Sequence, residues 1–109
     1  MSFNELLQEV KRIRAEQIRY EFTNYFECVT GVEFIRELCQ VLEGRFGPPL
    51  KRAGQDPTKE AKRCAESLGG IQKNQVLYFL EKEDLLNCAM LWPWEDGTRV
   101  TVKIAQFKP

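Results

Sequence analysis

The sequence predicts an α+β fold: a mixed four-stranded sheet packed by helices, in the order helix, strand, helix, short helix, three-stranded meander. Three observations predict it. Apolar residues recur at three- and four-residue spacing in residues 3–13, 34–46 and 61–68. Polar and apolar residues alternate in residues 25–29 and again in the last third. Asp96-Gly97 supplies a hairpin signal between two alternating stretches. With 109 residues, 43% of them apolar and 11% aromatic, the chain suits a single domain over 1–109 with material for a real core.

Ser2 with Glu5 reads as a capping box, with Met1 and Leu6 in the staple positions beside it. The first helix then runs to about Gln17 and turns Phe3, Leu6, Leu7, Val10 and Ile13 inward, with Ile18 as a further candidate for the same stripe. Residues 25–29 read as a strand. Residues 19–23 carry the same alternation, interrupted at Asn24, but Ile18, Phe22, Phe26 and Val29 equally fit a longer helix. Thr30 with Glu33 is a second capping box, opening a helix whose stripe is Phe34, Leu38, Val41, Leu42 and Phe46. Gly47, Pro48 and Pro49 stop it.

Residues 47–55 form a loop. Asp56 caps a short helix with Pro57 in its first position, Ala61, Cys64, Ala65 and Leu68 on its apolar face and Gly69-Gly70 at its end. Strands follow at 75–80, 86–92 and 98–107, the first two joined across residues 81–85, which carry the acidic Glu81, Glu83 and Asp84. The early strand reaches this meander by a crossover, right-handed if the strands are parallel.

A type I′ turn at Asp96-Gly97 sets Trp94 opposite Arg99, Trp92 opposite Thr101, Leu91 opposite Val102 and Ala89 opposite Ile104. Val100, Val102 and Ile104 then meet the helices. The other face collects Cys88, Met90, Trp92 and Trp94 beside Arg99 and Lys103, and it is expected to look outward. Pro93, which cannot donate to a ladder, marks an edge strand or a strand end. Three readings compete for that face. The first helix covers it; or it receives a ligand, a protein partner or a second copy; or it stacks the bases of a single-stranded nucleic acid.

Sixteen basic and sixteen acidic residues cancel, so no overall field attracts polyanions. The charge is uneven, however: residues 45–73 carry seven basic and three acidic groups. Lys51, Arg52, Lys59, Lys62 and Arg63 within that segment are the candidate anion-binding residues, although a solvated helix face explains them most simply.

The sequence has no histidine, which removes the commonest general base and the commonest neutral metal ligand. Cys28, Cys39, Cys64 and Cys88 lie far apart without a C-x-x-C pair, so they read as free core thiols rather than a zinc or redox motif. No catalytic residue, metal or cofactor is therefore assigned, and the composition leans away from an enzyme. Without a leader-like or membrane-spanning stretch, a reducing cytoplasm is the expected setting. The function expected is a non-catalytic binding module that uses Trp92, Trp94, Met90, Arg99 and Lys103 for a ligand, a protein partner or self-association as a homodimer. The alternative is binding of single-stranded nucleic acid or a phosphate ligand through that face and the basic segment.

Overall fold

The computed structural model describes residues 2–13 and 15–108. Helix α1 spans Phe3–Arg12, strands β1 and β2 span Ala15–Glu21 and Tyr25–Gly31, and a 3-10 turn at Val32–Phe34 leads into α2, Ile35–Phe46. Helix α3, Lys59–Ala65, continues as a second 3-10 turn at Glu66–Leu68. Strands β3, β4 and β5 span Val76–Lys82, Leu85–Pro93 and Arg99–Phe107. The architecture is α+β, but the sheet has five strands in the order β1-β2-β5-β4-β3, and every neighbouring pair is antiparallel. The expected mixed four-stranded sheet is corrected on both counts, and no parallel crossover is needed.

The fifth strand comes from the ambiguous residues. α1 ends at Arg12, where the next residue, Ile13, turns extended (φ −79°, ψ 126°), rather than near Gln17. Residues 22–24 then reverse the chain: the Phe22 amide donates to the Tyr25 carbonyl at 2.8 Å, and Asn24 accepts from the Gln106 amide at 3.0 Å. Asn24 breaks the alternation because it sits in this turn. A longer first helix would forfeit the β1–β2 ladder, which satisfies backbone groups that helical residues would otherwise pair locally.

Capping followed the sequence in part. Ser2 accepts from the Glu5 amide at 3.1 Å as expected, while Met1, its proposed staple, lies outside the described residues. Thr30 does not cap α2. It pairs with Val100 within β2 and is buried, and the helix begins through the 3-10 turn without a side-chain cap. At α3 the cap is Thr58, not Asp56, because Thr58 holds the extended backbone and accepts from the Ala61 amide at 3.1 Å. Gly47, at φ 78°, ends α2 as expected, its amide donating to the Glu43 carbonyl.

The sheet has two covered faces. On one, Phe3, Leu6, Leu7 and Val10 of α1 and Leu38, Leu42 and Phe46 of α2 pack on Phe26, Cys28, Ala89, Leu91, Val100, Val102 and Ile104. On the other, Ala61, Ala65 and Leu68 pack on Leu77, Cys88, Met90 and Ala105. Residues 16–21 of β1 belong to neither cluster and are all exposed. At the opposite edge, the loop before α3 lies along β3: Lys51 and Leu77 exchange backbone hydrogen bonds, which blunts that edge.

The final hairpin keeps its expected register, with Trp92 opposite Thr101, Leu91 opposite Val102 and Ala89 opposite Ile104. Its turn is not type I′, which requires two positive φ values; only Gly97, at φ 72°, has one. The Gly97 amide donates to the Trp94 carbonyl at 3.0 Å and the Trp94 amide to the Arg99 carbonyl at 2.9 Å. A loop over residues 95–98 thus preserves the same cross-strand partners.

Candidate recognition surface

Alternation along β4 and β5 turns Trp92, Trp94, Arg99 and Lys103 to the face opposite α1 and α2, as expected. Met90 and Cys88 share that face but not its exposure. Both are fully enclosed beneath α3, so Met90 is a core residue and not a contact residue. The covering helix is not α1, which packs on the other side. α3 is too short to roof the whole face.

Trp92 sits at the margin of that cover, half-buried. The Lys103 Nζ lies 3.4 Å from its ring centroid and donates to the Leu68 carbonyl at 3.1 Å, so the ammonium joins the indole to the end of the α3 segment. Burial lowers the Lys103 pKa, partly opposed by Glu27. The φ of 98° at position 69 favours glycine, and a Cβ there would also approach the Trp92 ring to a tight 3.1 Å. The Trp92 Nε1 is enclosed without a hydrogen-bond partner.

Trp94 is better satisfied, since its Nε1 donates to Thr101 Oγ1 at 2.9 Å. The guanidinium carbons of Arg19 and Arg99 lie 5.9 and 5.6 Å from its ring centroid. Both cations already have carboxylates: Arg99 Nε donates to Glu16 Oε2 at 2.5 Å, and Arg19 approaches Glu27 at 3.8 Å. The bond to Glu16 raises the Arg99 pKa further. Glu27 is buried and also accepts from the Tyr25 hydroxyl at 2.5 Å, and burial with that carboxylate raises the Tyr25 pKa.

Beyond these pairs the surface becomes apolar. Tyr20 and Phe22 stack with ring centroids 6.1 Å apart, and Tyr20 lies 6.3 Å from Tyr25. Ile18, Tyr20 and Phe22 are 47%, 50% and 59% exposed, three of the four large hydrophobic residues so exposed among the described residues. A depression of about 480 Å³ lined by Gln17, Ile18, Arg19, Tyr20 and Glu27 lies along β1. Sequence reasoning missed Glu16, Arg19, Tyr20, Phe22, Tyr25 and Glu27. The alternation in 19–23 is the signal for Arg19, Tyr20 and Phe22, but the adjacency of β2 and β5 that brings Arg19 to Trp94 has no local signature.

Of the basic candidates, Lys51 turns inward. Lys51 is buried, and its Nζ donates to the carbonyls of Lys73 and Gln75, at 2.6 Å for the latter. Burial lowers its pKa, with Asp56 opposing. It is a clamp on the loop, not a phosphate contact. Arg52, Lys59, Lys62 and Arg63 are exposed, and Arg63 shares a cleft with Glu60, Glu66 and Glu81.

All four cysteines are free thiols, Cys28 and Cys88 buried and Cys39 and Cys64 half-buried. Among the described residues no group of three His, Cys, Asp or Glu side chains is placed to hold a metal ion, and no helix is long and apolar enough to cross a membrane. No protein-family model, curated protein or solved structure matches the chain.

Proposed function

We propose that this chain is a non-catalytic interaction module that docks a second copy of itself on the β1–β2–β5 surface. The observation that carries the reading is the exposure of Tyr20 and Phe22 on one outer hairpin, continuous with Tyr25 and close to the Arg-flanked Trp94. Aromatic and arginine side chains of this kind are enriched at protein interfaces. The charges support a protein occupant over a polyanion, because Arg19 and Arg99 are already paired with Glu27 and Glu16. A surface that neutralises itself meets no net repulsion from its own copy. Two register irregularities bulge β1, which disfavours simple extension of the sheet, so the docking runs through side chains.

Sedimentation velocity over a range of concentrations tests this. The wild type is expected to shift from monomer to dimer, and Phe22→Asp to remain monomeric with its far-ultraviolet spectrum unchanged. A wild type that stays monomeric throughout, or a Phe22→Asp protein that dimerises as well as wild type, overturns the proposal. The alternative, nucleic-acid or phosphate-ligand binding through the aromatic face and the basic segment, keeps Arg52, Lys59, Lys62 and Arg63 exposed but loses Lys51, which is buried.

A further inference from the structure

A second cleft lies away from the β1 surface, at the end of the face that α3 only partly covers. Phe79, Leu86 and Phe107 come from three adjacent strands, and the register sets Leu86 directly between Glu81 and Phe107. All three apolar side chains are half-buried, and with Cys64 of α3 they line a cavity of about 590 Å³. That volume suits a small organic ligand. The remaining wall is acidic. Glu60 and Glu66 come from the α3 segment and Glu81 from β3, against the single guanidinium of Arg63. None of the three carboxylates is in an ion pair with another described residue.

We infer that this cleft binds a small amphiphilic cation, an apolar aryl or alkyl body carrying a protonated amine. The apolar body is buried against Phe79, Leu86 and Phe107, where removing it from water supplies the attraction. The ammonium stays at the rim, where the excess of carboxylate favours a cation over an anion of the same shape. An anionic ligand would meet three carboxylates with one guanidinium to offset them.

Cys64 reports occupancy, because it lines the cleft and is half-buried while Cys88 is fully enclosed. The experiment measures the rate of Cys64 alkylation by iodoacetamide, by peptide mass spectrometry, in the presence of 2-phenylethylammonium or of 3-phenylpropionate. The cation is expected to slow Cys64 alkylation at concentrations about fivefold lower than the anion requires, the discrimination expected for an exposed charge pair. Glu60→Gln combined with Glu81→Gln is expected to remove that preference while Cys88 stays unreactive. Equal protection by the two probes, no protection by the cation, or a preference that survives the double substitution each overturns the inference.

Discussion

Met90 lies on β4 and Trp94 directly follows its last residue, four positions on and facing the same way, yet their surroundings set different expectations. Met90 is fully buried under Ala61, Ala65 and Leu68, so Met90→Ala leaves a cavity and is expected to cost ~2–5 kcal/mol in urea unfolding. Trp94→Phe removes chiefly the bond to Thr101 and is expected to cost only ~1 kcal/mol. Equal losses in the two variants would contradict the division of this face into covered and open parts. Cys88 gives a pH-dependent expectation. Burial first, then neighbouring Cys64, pushes its thiol up to about 12, whereas an unfolded thiol ionises near ~8.5. The folded chain keeps its proton while the unfolded chain releases it, so this contribution to stability is complete below ~8.5 and is lost as the pH rises toward the folded value. Cys88→Ala is therefore expected to flatten the alkaline decline of unfolding free energy; an unchanged slope would assign the decline elsewhere. Lys51 works in the opposite direction, because burial lowers its pKa, and the comparison between variants leaves its contribution constant.

The β3–β4 turn shows a local rule broken at the level of an element. Glu83 and Asp84 take φ values of 54° and 61°, a left-handed pair for which Asn and Gly are the favoured residues. Asp84→Gly is expected to stabilise the fold by ~1 kcal/mol through relief of that strain, and a lower urea midpoint would refute it. At α3 the Thr58 hydroxyl holds the Ala61 amide, so Thr58→Ala should cost ~1 kcal/mol, whereas Asp56→Ala should leave the helix nearly unaffected. The elements also show where a sequence is legible. The apolar stripes of α1 and α2 and the pairing of β4 with β5 follow from periodicities of 3.6 and 2, which packing reinforces. The capping box at Thr30 and Glu33 is a genuine local preference that lost to the β2 ladder, whose pairing with β5 continues through Gly31. Residues 19–23 were undecided because three or four alternating residues fit either period.

Across the whole molecule, the pairing of β2 with β5 joins Tyr25 to Ala105 and Gly31 to Arg99, closing the sheet between distant parts of the chain. Such non-local pairing predicts folding on a timescale of roughly milliseconds to seconds, measurable by stopped-flow tryptophan fluorescence; microsecond folding would argue against late closure of this pair. The same closure makes the proposed surface, because only the order β1-β2-β5 brings Arg19 to Trp94 and Glu16 to Arg99. The sequence by itself determined the fold class, the helical stripes, the register of the last hairpin and the direction in which Trp92 and Trp94 point, since these depend on near-neighbour periodicity and turn length. The tertiary structure alone decided that α3 encloses Met90 while Trp94 stays half-buried between two arginines, that Lys51 turns inward to two carbonyls, and that β1 becomes an exposed edge. Those outcomes depend on which surfaces remain uncovered once distant segments have packed, and local chain preferences carry no record of that competition.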